Sequence, residues 1–210
     1  MAGKHRAVVG GDWEELGQFQ VDFLVAQGLK QHHTLLDIGC GSLRGGVKLI
    51  KYLDAENYFG TDLNGSLLSV GYDIELAKAG LTAKLPRSHL IVDGDFDYTW
   101  CARPFDFVLA QSVFTHLPLG FVRICLERLC GVVKPDGRLF MTIHEIPADH
   151  PADRSYRQPG GIVSYGGKNP YHHRYSDIAL CAQNLPWAAK YIGAWNHPHG
   201  QKIVQFTRSR

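Results

Sequence analysis

With 210 residues, 45% of them apolar and 20% charged, the chain can build one compact core and is short for two full-sized domains. A formal net charge of +2 supplies no strong field toward nucleic acid or an anionic bilayer. No segment approaches the ~20 apolar residues of a membrane helix, and Met1–Arg6 leads into no apolar run of secretory type.

From Asp12 onward, Trp13, Leu16, Phe19, Phe23 and Leu24 recur near helical spacing, which predicts an amphipathic entry helix over 12–27. Thr34–Ile38 is short and apolar and runs straight into Gly39-Cys40-Gly41-Ser42, the pattern of a buried strand entering a tight turn. A helix follows over 43–53, with Val47, Ile50 and Leu53 on one side. The alternation continues with a strand at 58–62, a helix at 67–79 stopped by Gly80, and strands at 89–92 and 105–110. A helix at 120–130 and a fifth strand at 138–144 complete it. Strands and helices alternating at this spacing predict a parallel sheet covered on both faces.

The pattern breaks over 147–173, where four prolines and the pairs Gly160-Gly161 and Gly166-Gly167 predict a stretch without regular structure. Such a segment inside a compact chain reads as a functional lid, placed here over 147–175. A short helix at 176–184 and two apolar runs, 188–195 and 202–206, then read as the closing part of the fold, the runs forming an antiparallel hairpin. The expected organisation is one domain over 1–210. The five cysteines (Cys40, Cys101, Cys125, Cys130, Cys181) are odd in number and hold no Cys-x-x-Cys pair, as in a reducing, cytoplasmic setting.

Gly39 and Gly41 let the chain turn sharply and approach a ligand without a Cβ in the way. A dinucleotide fingerprint would place its third glycine at position 44, which is Arg44. The pyrophosphate cradle therefore fails, whereas S-adenosylmethionine (SAM) carries no pyrophosphate. Asp37 stands two residues before Gly39 as a candidate for the amino end of the methionine part. Asp62 ends the second strand 21 residues beyond Gly41, where a carboxylate can accept from both hydroxyls of a ribose. After the third strand, Asp95 could accept from an adenine amino group while Phe96 or Leu63 covers the ring, and Gln111-Ser112 after the fourth would close the pocket with backbone. Arg44 reads as an exposed helix residue, and Cys40 as chosen for its size.

These motifs together resemble the class I SAM-dependent methyltransferases over nearly the full length. Asp37-Ile38-Gly39-Cys40-Gly41 is similar to their first motif, Asp62 to their ribose-binding acid, and Gly94-Asp95-Phe96 to their adenine motif. Phe105–Leu109 followed by Val113–Leu117 is similar to their fourth strand and its loop, and Val133–Arg138 to the turn before their fifth. One departure is Leu43, at a position where the first motif often has a third glycine. The resemblance implies a Rossmann-like three-layer α/β sandwich with a seven-stranded, mostly parallel sheet in order 3-2-1-4-5-7-6, strand seven antiparallel. It also implies SAM as methyl donor and S-adenosylhomocysteine as product.

Methyl transfer depends on aligning an acceptor lone pair with the methyl carbon, and an oxygen acceptor gains from a general base. His116 after the fourth strand and His144-Glu145 at the end of the fifth are the candidates at the sheet's carboxyl edge. His150, His172 and His173 lack spaced acidic partners, so no metal site is expected. Tyr156, Tyr165, Tyr171 and Tyr175 could wall an acceptor pocket or anchor a long loop. The chain has no Asn/Asp-Pro-Pro-aromatic motif after the fourth strand and no Lys/Arg stripe, so the expected partner is a small or sugar-like acceptor, with no nucleic acid and no membrane. A binding module that keeps the pocket without the chemistry is the alternative, because no single base stands out.

Overall fold

The computed structural model describes residues 5–6 and 12–210. The reading that Met1–Arg6 leads into no secretory run rests mostly on residues 1–4 and 7–11, which lie outside the described residues. The chain divides into two compact units, Met1–Asp95 and Phe96–Arg210.

The first unit opens with α1 (Trp13–Ala26), which buries Leu16, Gln20, Val21 and Leu24 as its periodicity requires. Its strands are β1 (Leu35–Ile38), β2 (Tyr58–Asp62) and β3 (Leu90–Val92), all parallel. The pairing Ile38↔Thr61 and Asp62↔Val92 brings the glycine turn, Asp62 and Asp93 out at one edge. Helix α2 covers Gly46–Tyr52 and begins later than the spacing predicts, because the chain is still turning through Leu43, whose φ is +66°. Helix α3 (Gly65–Val70) begins earlier than predicted, since Asn64 caps it by accepting the Ser66 N–H at 3.1 Å. It continues as a π-helix over Gly71–Leu76.

The second unit carries β4 (Phe105–Ala110), α4 (Gly120–Leu129) and β5 (Val133–Glu145). After them come the short strands β6 (Tyr156–Arg157), β7 (Val163–Ser164) and β8 (His172–His173), then α5 (Tyr175–Leu180), β9 (Trp187–Ala194) and β10 (Lys202–Arg208). Strand β5 starts five residues before its predicted position, and its register against β4 jumps from Phe105↔Val133 to Phe107↔Arg138 across the Pro135–Gly137 turn. Strands β9 and β10 form the predicted antiparallel hairpin, and β10 runs antiparallel to β5. The sheet order is β3-β2-β1-β4-β5-β10-β9. Counting only the seven long strands, this is 3-2-1-4-5-7-6 with the last in sequence antiparallel, the Rossmann-like order that the resemblance implied.

The stretch 147–173, expected to lack regular structure, is folded. Strands β6 and β7 form a hairpin through Tyr156↔Ser164, and β8 extends the ladder of β5 through His144↔His172 and Glu145↔His173. His172 Nε2 meets the Ala152 carbonyl at 3.1 Å and its Nδ1 the buried Ser164 Oγ at 3.1 Å, while the Ser164 hydroxyl donates to the Tyr156 carbonyl at 3.2 Å. Gln158 donates to the same hydroxyl oxygen at 2.9 Å. Prolines and glycines here punctuate short turns between polar side chains that satisfy one another, a pattern with no hydrophobic period to read.

Candidate cofactor and acceptor sites

In the first unit the glycine turn is held by its own neighbours. The N–H groups of Gly39 and Cys40 both donate to the Thr61 carbonyl, at 2.7 and 3.0 Å. Gly39 (φ +70°) and Gly41 (φ +55°) take the left-handed backbone that glycine tolerates without strain. Gly41 N–H donates to Asp62 Oδ2 at 2.9 Å, and Asn64 N–H donates to Oδ1 at 2.9 Å. The half-buried Asp62 carboxylate is thus fixed by two backbone donors, and each oxygen keeps a further lone pair for a diol.

Asp37 is 5% exposed and accepts the Tyr58 hydroxyl at 2.8 Å. Burial lifts its pKa to about 7, and nearby Asp62 adds to this, while the Tyr58 hydrogen bond and the Arg44 guanidinium act against it. The carboxyl is therefore poised to ionise when a cation approaches. Arg44 corrects its sequence reading: it lies in the turn before α2 rather than on an exposed helix, half-buried, and faces Asp37 and Asp12. Composition gave no signal for this, since the contact depends on the left-handed turn at Leu43. Cys40 is buried, and its thiol is pushed well up by burial and by Asp37 and Asp62, so it is not a nucleophile.

Beyond β3, Asp93 Oδ1 accepts the Asp95 N–H at 2.8 Å and forms the turn that presents Asp95 as an exposed carboxylate. Leu63 is 76% exposed, as a side chain awaiting an apolar partner would be. Phe96 does not serve as the alternative ring cover. It is 5% exposed and belongs to the aromatic core of the second unit, 6.0 Å from Phe114 and 6.5 Å from Phe121.

In the second unit, Ser112 (φ +59°) follows Gln111 after β4, and its N–H donates to Thr142 Oγ1 at 2.7 Å. The Gln111 amide meets His197 Nε2 at 3.2 Å, and its other terminal atom is buried without a partner. His116 is exposed, with Nδ1 against Asn169 Oδ1 at 2.8 Å. His144 is 2% exposed, and its Nδ1 is also buried without a partner. Burial holds its pKa down at about 4, helped by the nearby His116, His172, His173 and His199, so the imidazole is neutral at ordinary pH. Sequence reasoning missed His199 as a member of this histidine group and His197 as the neighbour of Gln111.

Glu145 parts from His144. Adjacent residues on a strand project to opposite faces, and Glu145 Oε2 accepts the hydroxyl of Tyr191 on β9. Glu145, the other candidate at this strand end, is tied by that bond to β9. Among the described residues no group of three or more His, Cys, Asp or Glu side chains is arranged to hold a metal ion.

Residues 36–141, about half of the chain, match the family model described as a methyltransferase domain. The chain belongs to this family and is a SAM-dependent methyltransferase. Solved structures share its fold. Magnesium protoporphyrin IX methyltransferase of Synechocystis PCC 6803, solved with bound SAM, is 15% identical with a TM-score of 0.64, over 93% of this chain and 81% of that one. An O-methyltransferase family protein of Burkholderia thailandensis is 16% identical with a TM-score of 0.64, over 93% and 57%. A candidate rRNA methylase of Clostridium thermocellum is 12% identical with a TM-score of 0.63, over 92% and 96%.

The methyltransferase's own residues suit SAM. Asp62 keeps acceptor capacity beside a rigid glycine turn, a buried carboxyl titrating near pH 7 stands one strand away, and no pyrophosphate cradle is present. No helix among the described residues is long and apolar enough to cross a membrane.

Proposed function

We propose that this methyltransferase methylates an oxygen of a small, hydroxylated acceptor, and that His144 takes up the acceptor's proton. SAM supplies a methyl group on a sulfonium centre. In this reading Asp62 accepts from the two ribose hydroxyls, Asp37 faces the amino group, and the backbone of Gly39, Gly41 and Gln111 lines the molecule. Leu63 covers the adenine and Asp95 accepts from its amino group. His116, exposed at the rim, positions the acceptor through its link to Asn169. The chain works as one methyltransferase domain, with the folded segment 147–175 as the wall of the acceptor chamber.

The observation that carries the reading is the buried, unpartnered Nδ1 of His144. A neutral imidazole withheld from water and from protein donors is free to accept a hydroxyl proton as the C–O bond forms. Methylation of an exocyclic base amine is disfavoured, since Gln111-Ser112-Val113-Phe114 stands where base-amine enzymes carry their Pro-Pro motif. Five free cysteines fit a reducing cytoplasm. Incubation with methyl-labelled SAM and a pool of hydroxylated metabolites tests it: label should enter a small molecule with wild-type protein and not with His144→Asn. Tight SAM binding without any S-adenosylhomocysteine formed would instead identify a binding module.

A further inference from the structure

Resting on that reading, we infer that Arg174 holds a carboxylate of the acceptor, so that the methylated hydroxyl belongs to a hydroxy acid with its acid group at the far end of the molecule. Three buried nitrogens carry the argument, each without a hydrogen-bond partner: His144 Nδ1, His150 Nε2 and Arg174 Nε. Strand register joins the first to the last. His144 pairs with His172 across the parallel β5–β8 ladder, which runs on through the Ile146 N–H to the His173 carbonyl at 3.2 Å. Arg174 keeps extended backbone, φ −89° and ψ 149°, so its side chain leaves on the face shared by His172 and His144. With strands ~4.8 Å apart and two residues of rise, the Cβ atoms of Arg174 and His144 lie about 8 Å apart. Side-chain contacts close the circuit. The His150 ring packs edge-on against the His172 ring, centroids 6.4 Å apart, and Arg174 Nη2 donates to the His150 carbonyl at 2.7 Å.

Arg174 is half-buried, and among the described residues no carboxylate pairs with it. The nearby acids are engaged or turned to water. Glu145 accepts the Tyr191 hydroxyl, Asp177 accepts the Ser176 hydroxyl at 3.3 Å, and Asp149 and Asp153 are exposed. The His172 imidazole between Arg174 and His144 is committed as well, with both nitrogens in contacts at 3.1 Å. A guanidinium is always charged and carries five donors, of which one serves the His150 carbonyl. A cation withdrawn from water without a counter-ion is costly. A carboxylate relieves that cost through two parallel bonds, to Nε–H and an Nη–H. Arg6 meets Glu75 in this way, through Nε at 2.9 Å and Nη2 at 2.7 Å. His150, in its Nε2–H tautomer, adds a further donor at the same corner. A neutral amide or hydroxyl brings no charge to match. The hydroxyl at His144 and the carboxylate at Arg174 then stand at opposite ends of an acceptor about one ring long, given the ~8 Å between the two Cβ atoms.

Acid and amide forms of one hydroxylated molecule test this with methyl-labelled SAM: glucuronate against glucuronamide, and 4-hydroxyphenylacetate against 4-hydroxyphenylacetamide. The acid should show a KM lower by on the order of thirtyfold, the worth of a charge-assisted pair of bonds. Arg174→Gln should erase that difference, and Arg174→Lys, which keeps the charge without the fork, should keep only part of it. Calorimetric binding of S-adenosylhomocysteine to each variant checks that it is folded. A second readout needs no variant. In wild type loaded with S-adenosylhomocysteine, the nitrogen-15 resonance of Arg174 Nε–H should move when either acid is added and stay in place with the amides. Equal KM within pairs, a preference that survives Arg174→Gln, or an Nε–H resonance that ignores the acids overturns the subsite, while label in a hydroxyl of either form leaves the oxygen methyltransferase reading standing. Label in no acid and no amide overturns both.

Discussion

In Met1–Asp95 the Asp62 carboxylate already accepts from Gly41 N–H and Asn64 N–H, and the glycine turn hangs on Thr61. In Phe96–Arg210 the Nδ1 of His144 and one end of the Gln111 amide are buried without a hydrogen-bond partner. In the function proposed above, the first arrangement is preorganised for a ligand that never changes, the cofactor, and the second leaves hydrogen-bonding capacity for the acceptor, where specificity would reside. The buried titratable groups oppose each other as well. Asp37, raised to about 7, stabilises its unit fully below its unfolded pKa of ~3.9 and loses that contribution as pH rises through about 7. His144, lowered to about 4, contributes fully above ~6.5 and loses it as pH falls through about 4.

The largest effect expected falls on the acceptor side. His144→Asn should lower kcat roughly a thousandfold, within the range of a lost general base, and leave S-adenosylhomocysteine binding unchanged in a calorimeter. In wild type the acid limb of kcat/KM, which reports the free enzyme, should lie near the depressed value of about 4 rather than at ~6.5. A limb at ~6.5 would mean that the buried His144 is not the group that takes up the proton.

On the cofactor side the expected effect is smaller because several groups share the work. Asp62→Ala removes two hydroxyl contacts and frees the Gly41 and Asn64 donors, which should weaken S-adenosylhomocysteine binding about a hundredfold. Unchanged affinity would mean that the ribose is held elsewhere. Smaller again is the pH effect from Asp37. If the ligand's ammonium requires the ionised carboxylate, affinity should rise about tenfold between pH 6 and 8 in wild type, with about one proton released at pH 6, and Asp37→Asn should flatten the curve.

The contrast between the units also explains what the sequence made legible. Asp37, Gly39, Gly41 and Asp62 are fixed by two short strands and their turns, so spacing alone brings them to one edge. Leu63 and Asp95 follow by the same rule. Phe96 could not be placed that way, since its direction is set by packing against Phe114 and Phe121 rather than by strand alternation. His144 and Glu145 were legible as positions at the end of the fifth strand, but not that alternation sends one inward and the other to Tyr191. The histidine group comes from β5, β8 and two loops, and the folded form of 147–173 rests on polar side chains meeting across many residues. No local period announces such contacts.

Leu43 is where the sequence departed from its resemblance, and the structure turns the departure into the finest test. Its φ of +66° puts a leucine in the left-handed region, at a cost of about 1 kcal/mol that glycine avoids. Its side chain is fully buried, and the room for it comes from two glycines: a Cβ at Gly46 would lie 2.8 Å from Leu43 Cδ2, and one at Gly71 would lie 2.9 Å from its Cγ. The turn therefore trades backbone strain for a plug between α2 and the π-helix. Leu43→Ala keeps the strain and loses the plug, for about 3 kcal/mol of stability. Leu43→Gly also loses the plug but relieves the strain, so it should unfold at higher denaturant than Leu43→Ala, by about 1 kcal/mol when extrapolated to water. A glycine variant less stable than the alanine variant would mean that the left-handed turn costs leucine nothing, and that the loop's shape is set by the backbone bonds to Thr61 and Asp62 alone.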